Sequence, residues 1–461
     1  MFENYSDMII ILGTFGTSFA TYYYLINNIN KSKKVKIVVW GTGYIGLSTM
    51  VYFSKEKIKC VGFDINKDKV RKINSGILPL PDLKKWFGFD IKKLVKENYL
   101  KATSNYNDLI KENFLVHFIA IPTEKDGKPY YKPLLNVLSK ILKIKKNKIQ
   151  NPPIIIVEST LAPKVSDNKI IPFIKRNKLE IGKDILFSVA PRRDWFIEGV
   201  KNLKDLDRVY GSTDANSAKA TRDVLSIVCK KLHLASSYKV SEMVKSVENA
   251  YRHMDITLAN QLSLAFPNDN MREVLRLVGT KWNIETFHPG IGAGGYCIPL
   301  SSRYILSQVN DKKKLTLLRE TIKTDDKMNY FLAKSIARKK FKKIGILGLS
   351  YKGNLKVSVL SKVIPLVKSL IKFKLNVKVF DPYFSSIEIK NILGVKTFKF
   401  PQGLNQFDCI IIAVDHKQFK ISKLKLQKNL KNCKFIVDHD GAWKNYKLSN
   451  NYHLSGDKGW I

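Results

Sequence analysis

Val35-Lys-Ile-Val-Val-Trp-Gly-Thr-Gly-Tyr-Ile-Gly46 decides the fold of this 461-residue chain. Residues 35–40 read as a buried strand, and a helical stretch follows Gly46 to about Lys55. A second strand, Ile58–Phe63, ends at Asp64. The order strand, GxGxxG, helix, strand, acid is the dinucleotide-binding fingerprint in its full context. Gly41 allows the tight turn, Gly43 lets a pyrophosphate approach the backbone, and Gly46 permits close packing of helix on strand. Tyr44 and Ile45 open the helix, whose N-terminus favours phosphate. Asp64 is placed for ribose hydroxyls, which favours NAD over NADP.

Outward from this unit, Phe114–Ile121, Ile154–Glu158 and Ile185–Val189 read as further buried strands separated by helices. From about 240 to 335 the pattern turns helical. Lys342–Leu349 opens a second α/β unit, continued by Val377–Asp381, Asp408–Val414 and Phe435–Asp438. The expected fold class is therefore α/β, with two Rossmann-like doubly wound domains joined by a long-helix central domain. The expected boundaries are 34–232, 233–338 and 339–461, after an apolar segment within 1–33.

Composition is that of an ordinary globular protein, with 44% hydrophobic and 26% charged residues. Cysteines 60, 229, 297, 409 and 433 are scattered with no CxxC pair, so no disulfide framework or metal site is indicated and a reducing cytosol fits. The net charge of +41 invites a nucleic-acid reading, yet 68 of the 80 basic residues are Lys and lie in every segment. A general lysine bias explains this better than a nucleic-acid site.

Residues 8–26 contain no charge and approach the length of a bilayer span. Lys31, Lys33, Lys34 and Lys36 follow, an asymmetry that would leave the rest of the chain in the cytosol. A membrane anchor and a helix lying on a surface are both open readings.

Ser241–Leu262 reads as one long helix with Met243, Val247, Ala250, Met254, Leu258 and Ala265 along or just beyond one apolar face. Lys245, Asn249 and Arg252 form a polar stripe opposite; periodicity alone favours a solvated face there. Phe287-His-Pro-Gly-Ile-Gly-Ala-Gly-Gly-Tyr-Cys297 places a thiol at the end of a loop with four glycines. Such a loop brings backbone N–H groups close to a ligand, and the thiol beside it is a candidate nucleophile; taken alone, the stretch reads equally as a mobile surface loop next to a small buried thiol.

Together these segments resemble the UDP-glucose/GDP-mannose dehydrogenase family. The motifs come in the family's order: GTGYIG at 41–46, IPT at 121–123, EST at 158–160, SEMVKSVENAYR at 241–252, PGIGAGGYC at 289–297, GLSYKG at 348–353, FDPY at 380–383 and VDHDGAW at 437–443. The resemblance implies oxidation of the C6 alcohol of a nucleotide sugar to a carboxylate, using two NAD and a cysteine-bound intermediate. It implies Cys297 as nucleophile, Lys245 as oxyanion partner and Asn249 as a positioner of substrate or water. Thr160 would hold the water and, with Thr123, lie along the cofactor. Substrate contacts would come from Asp194, Arg252, His288, Gly290, Gly294 and Lys352, and the helical middle would form a homodimer core.

Three departures stand out. Pro191-Arg-Arg-Asp-Trp-Phe-Ile-Glu-Gly199 lengthens the family's loop, leaving Glu198 as the candidate general base. Ser301 replaces an aspartate four residues after the cysteine, and Val359 replaces an arginine. The run 249–260 and His288 are similar to the UDP-N-acetylhexosamine branch, so UDP-N-acetylmannosamine or UDP-N-acetylglucosamine is expected. UDP-glucose, or an inactive descendant that only binds, are the alternatives. A UDP-hexuronate product would feed a surface polysaccharide.

Overall fold

The structure is a computed structural model and describes residues 36–80, 83–112, 114–148, 152–194, 203–448 and 451–461. The candidate anchor at 8–26 and the candidate base Glu198 lie outside the described residues. The chain divides into two compact units, Met1–Ser246 and Val247–Ile461.

In the first unit an eight-stranded sheet has the order β10-β9-β8-β7-β4-β1-β2-β3. Its strands are β1 Lys36–Trp40, β2 Lys59–Phe63, β3 Leu100–Thr103, β4 Val116–Ile119, β7 Ile154–Val157, β8 Leu186–Val189, β9 Arg208–Ser212 and β10 Leu232–Leu234; β5 Glu124–Lys125 and β6 Lys128–Pro129 form a small hairpin. The run from β3 to β8 is parallel, and β9 joins β8 antiparallel. The order of the parallel part is that of a dinucleotide-binding sheet, whose crevice opens where strand order reverses, between β1 and β4. These strands are short apolar runs because helices cover both faces. Ile37, Val38, Val39 and Trp40 are all buried, as are Ile154–Val157. Helix α1, Tyr44–Lys55, packs on β1 and β2; α2, Lys67–Asn74, packs on β3.

The second unit holds a parallel five-stranded sheet in the order β12-β11-β13-β14-β15: β11 Lys343–Leu347, β12 Asn376–Phe380, β13 Cys409–Ile412, β14 Phe435–Asp438 and β15 Asn451–Leu454. This is the second common doubly wound order, with its switch point between β11 and β13. Apolar runs in the sequence mark the central strands of both sheets but not β3, β9, β10 and β15. Those four lie at or next to sheet edges, where strands are short and less uniformly apolar.

Helix α3, Tyr238–Ala265, runs from the first unit into the second. It is followed in the second unit by α4 Met271–Val278, α5 Cys297–Gln308, α6 Thr316–Arg338 and α7 Val363–Lys372. The long helix is present as expected, but its burial corrects the sequence reading. Met243 and Leu258 of the supposed core face are 43% and 55% exposed. The buried face is polar instead: Glu242, Ser246, Asn249, His253, Thr257 and Asn260. Each of five of these six meets a hydrogen-bonding or charged group from another segment. A polar face can be buried when its groups are paired in this way.

Candidate active site

The first unit builds a dinucleotide cradle. Gly41 has φ +94°, and a Cβ there would stand 2.5 Å from Ala120 O. Gly46 lies so close beneath the turn that a Cβ would sit 1.8 Å from Gly41 O. Gly43 differs, because a Cβ there would meet nothing within 4 Å. It faces open space at the N-cap of α1, where backbone N–H groups point outward. Tyr44 and Ile45 form the first turn of that helix.

Asp64 sits at the end of β2 beside this turn. Its Oδ2 accepts Thr42 N–H at 2.9 Å and the Thr42 hydroxyl at 2.7 Å, and its Oδ1 accepts Asn66 N–H at 2.9 Å. Burial pushes the carboxyl up, but these bonds outweigh it and hold its pKa below the ordinary value. The ionised side chain remains 11% exposed and keeps acceptor capacity for ribose hydroxyls. An open glycine at a helix N-terminus and an ionised acid one strand away fit NAD.

Across the switch point, the Thr123 hydroxyl donates to Thr160 O at 2.6 Å. Ser159 Oγ accepts Ile121 N–H at 2.9 Å and donates to Ile121 O at 2.8 Å. The IPT and EST segments are thereby stitched together at the carboxyl ends of β4 and β7.

The lengthened loop after β8 is tied inward. Arg192 Nε and Nη2 donate to Asp194 at 2.6 and 2.9 Å, while Nη1 and Nη2 donate to Thr49 and Ser48 of α1 at 2.6 and 2.8 Å. Glu158 accepts from Thr49 at 2.6 Å and from Arg208 at 2.7 Å. Burial raises the Asp194 pKa, and the Arg192 charge more than offsets this, leaving it lowered. The Asp194 side chain is 1% exposed. Its carboxylate thus serves an internal ion pair here, whereas the sequence reading assigned it to substrate. Two cations and two anions balance in this cluster, as buried charges require.

The second unit presents the thiol. Cys297 is exposed and is the first residue of α5, while Cys60, Cys229, Cys409 and Cys433 are buried. Burial pushes Cys60 and Cys433 up to about 12, which makes them poor nucleophiles. Asn249 of α3 is buried and donates to Ser301 Oγ at 2.9 Å. The residue standing at the family's aspartate position therefore meets a residue implied in catalysis. Gly290 N–H donates to Asn260 Oδ1 at 2.7 Å. Gly294 packs beside Tyr351, whose Cβ would be 3.3 Å from an added Cβ. His288 is solvent-exposed; partial desolvation and the Arg272 charge lower its pKa. Arg252 is half-buried on α3. Lys245, also half-buried, belongs to the first unit's part of the same helix.

Lys352 lies in the loop after β11, at the second switch point. Asp381, at the end of β12, accepts Leu349 N–H at 2.7 Å, as Asp64 accepts Thr42 N–H in the first unit. Here, however, His416 Nε2 closes on Asp381 at 3.0 Å, and neither side chain has exposed surface. His416 Nδ1 also accepts Asn354 N–H at 2.8 Å. This second acid holds its own loop and is closed to a ribose. Nothing in the sequence marks His416, because its pairing with Asp381 spans 35 positions.

Comparison with known proteins agrees with both halves. Residues 35–228 match the NAD binding domain of the UDP-glucose/GDP-mannose dehydrogenase family, 239–328 its central domain and 345–445 its UDP binding domain. Protein CapL of Staphylococcus aureus is 29% identical over 433 residues, covering 90% of this chain and 97% of that protein. The UDP-N-acetyl-D-glucosamine 6-dehydrogenase of Pseudomonas aeruginosa is 27% identical over 430 residues, 88% of this chain and 98% of the relative. The solved UDP-D-ManNAc dehydrogenase of Pyrococcus horikoshii shares the fold with a TM-score of 0.79 at 24% identity, over 93% of this chain and 100% of that one. Three domain matches in one order, over an open NAD cradle and a closed second acid, have one reading: the chain belongs to the UDP-glucose/GDP-mannose dehydrogenase family and is an NAD-dependent nucleotide-sugar dehydrogenase.

Proposed function

We propose that this protein oxidises the C6 alcohol of a UDP-N-acetylhexosamine, UDP-N-acetylmannosamine or UDP-N-acetylglucosamine, to the uronate through Cys297. The observation supporting this most directly is the exposed thiol at the first position of α5, at the end of the glycine-rich loop, among four buried thiols. The turn of Gly41, Gly43 and Gly46, with Asp64, would hold NAD, which would supply the hydride acceptor for each of two oxidations of the sugar carbon. The first leaves an aldehyde. The Cys297 sulfur adds to its carbon while the oxygen takes a proton, and the second oxidation converts that adduct to a thioester. Water then adds, the carbon–sulfur bond breaks, and carboxylate and thiol are released. In this reading the Lys245 ammonium offsets negative charge developing on the sugar oxygen. Asn249 and Thr160 orient substrate and water, and Glu198 takes a proton. Arg252, His288 and Lys352 bind the nucleotide sugar, and Thr123 lines the cofactor.

Relatives named UDP-N-acetyl-D-glucosamine 6-dehydrogenase and UDP-N-acetyl-D-mannosamine dehydrogenase favour that substrate class over UDP-glucose. The uronate would supply a glycosyltransferase building a surface polysaccharide. The cytosol, where NAD is abundant and free thiols stay reduced, is the fitting compartment. Among the described residues no helix is long and apolar enough to cross a membrane.

A panel of UDP-sugars assayed for NADH tests the reading. The expected result is two NADH per sugar oxidised and no acid from Cys297→Ala. No NADH with any UDP-sugar sinks it. A second reading, a descendant with slowed thioester release, is favoured by Ser301, which offers Asn249 a neutral hydroxyl where a carboxylate is usual. Ser301→Asp then raises steady-state turnover, whereas an already fast enzyme left unchanged rejects that variant reading.

The exposed apolar stripe of α3, with Met243, Tyr251 and Leu258, supports a homodimer formed through this helix. Tyr251→Lys with Leu258→Lys is expected to halve the mass measured by light scattering. An unchanged mass places any dimer contact elsewhere.

A further inference from the structure

The glycine-rich loop is held at its base by one carboxylate that the chemistry above does not use. Asp325 lies on α6 with its side chain 1% exposed. Its Oδ1 accepts Ala293 N–H at 2.7 Å, in the middle of the loop. The neighbouring Gly292 has φ +106°, and a Cβ there would stand 3.0 Å from the same oxygen. The loop therefore passes directly over the carboxylate, and only glycine permits that backbone conformation without strain.

The other oxygen faces two groups. Lys362 Nζ, just before α7, donates to Oδ2 at 2.6 Å, and His253 Nε2 of α3 lies 3.3 Å from it. His253 is fully buried, and its Nδ1 is 2.9 Å from the hydroxyl of Ser302. Ser302 belongs to α5, the helix that begins at Cys297. One turn further along α6, Asn329, with its amide oriented to donate, reaches Ile291 O at 3.2 Å and Lys362 O at 2.8 Å. Two successive positions of one face of α6 thus hold both the N–H and C=O sides of the loop.

A chain with four glycines has many accessible conformations, and ordering it costs conformational entropy. A buried anion without partners would be costly as well. Each problem is met by the other: the loop N–H and Lys362 donate to the carboxylate, with the His253 ring 3.3 Å away, and the carboxylate fixes the loop. Burial raises the Asp325 pKa, and the His253 and Lys362 interactions outweigh it, so the carboxyl stays ionised at neutral pH.

We propose that Asp325 is a positioning residue for Cys297, anchoring the preceding loop through Ala293 and the thiol's own helix through His253 and Ser302. The direction of the thiol is then set before substrate binds, which is how a nucleophile gains from orientation. The proposal rests on the reading of Cys297 as the nucleophile.

The test compares Asp325→Ala and Asp325→Asn in the full-length protein. Three quantities are measured: amide hydrogen exchange of the 289–297 peptide, iodoacetamide alkylation of Cys297 by mass spectrometry, and kcat with KM for NAD. The Ala variant is expected to speed exchange at Ala293 by about tenfold or more, since a hydrogen bond to a charged group is lost. Its Cys297 alkylation rate changes severalfold and its kcat falls about tenfold or more, while KM for NAD is unchanged. The Asn variant keeps an acceptor for Ala293, so exchange there returns most of the way to the wild-type rate.

Wild-type exchange and alkylation in the Ala variant overturn the proposal. If that variant does not fold, Ser302→Ala decides: it severs only the His253 contact, is expected to alter Cys297 alkylation, and overturns the proposal if it does not. Were no UDP-sugar oxidised even by the wild type, the functional reading would fall, while exchange and alkylation would still decide the role of Asp325.

Discussion

Asn249 Nδ2 donates to Ser301 Oγ at 2.9 Å, with both residues buried. The pair joins the polar face of α3 to the helix that starts at Cys297. Ser301→Ala leaves a buried amide donor unpaired and is expected to destabilise the protein by about 1–3 kcal/mol. Chemical denaturation checks this. No change in midpoint means the amide finds another acceptor.

The fingerprint glycines make separable predictions. A methyl at Gly46 collides with Gly41 O, so Gly46→Ala is expected to lower thermal stability and abolish NAD binding. A methyl at Gly43 meets no protein atom, so Gly43→Ala should keep the wild-type melting temperature and still weaken NAD binding, because the added group occupies space meant for pyrophosphate. Calorimetric titration with NAD distinguishes the two.

Asp194 and Arg192 form a buried bidentate pair. Asp194→Ala strands much of the Arg192 charge and is expected to cost about 3–5 kcal/mol, whereas Arg192→Met with Asp194→Leu costs less than the single change. Urea unfolding of both variants provides the comparison. Equal losses would show that Glu158, 3.7 Å away, already balances the arginine.

His117 on β4 is fully buried, and Trp40 Nε1 donates to its Nδ1 at 3.2 Å, occupying the lone pair a proton would take. Burial lowers its pKa from 6.5 to about 3. The folded state therefore binds fewer protons than the unfolded state in that window. Its contribution is intact above about pH 6.5 and declines toward about pH 3, by up to about 1.4 kcal/mol per pH unit. His117→Phe is expected to flatten the stability profile there. A variant as acid-sensitive as the wild type assigns the effect to other groups.

Much was legible in sequence where the information is local. The cradle of Gly41, Gly43, Gly46 and Asp64 lies within 24 residues, and its meaning follows from backbone sterics and helix polarity. The central strands are legible because burial on both faces demands apolar runs. The orientation of α3 was not legible. Its apolar and polar stripes share one 3.6-residue period, so periodicity cannot say which faces inward.

Only the tertiary structure decided that. Ser301, Ser302 and the Gly290 N–H, 30 to 52 positions away, supply partners for Asn249, His253 and Asn260. The partners of Asp194 and Asp325 are likewise not legible in sequence, because pairing with Arg192, or with Ala293, Lys362 and His253, is a property of folded geometry. By itself, the sequence determined two nucleotide-binding sheets, the NAD cradle and a thiol at the end of a glycine-rich loop. The fold determined which polar groups are buried and paired around them, since a buried charge is stable only beside partners that folding brings to it.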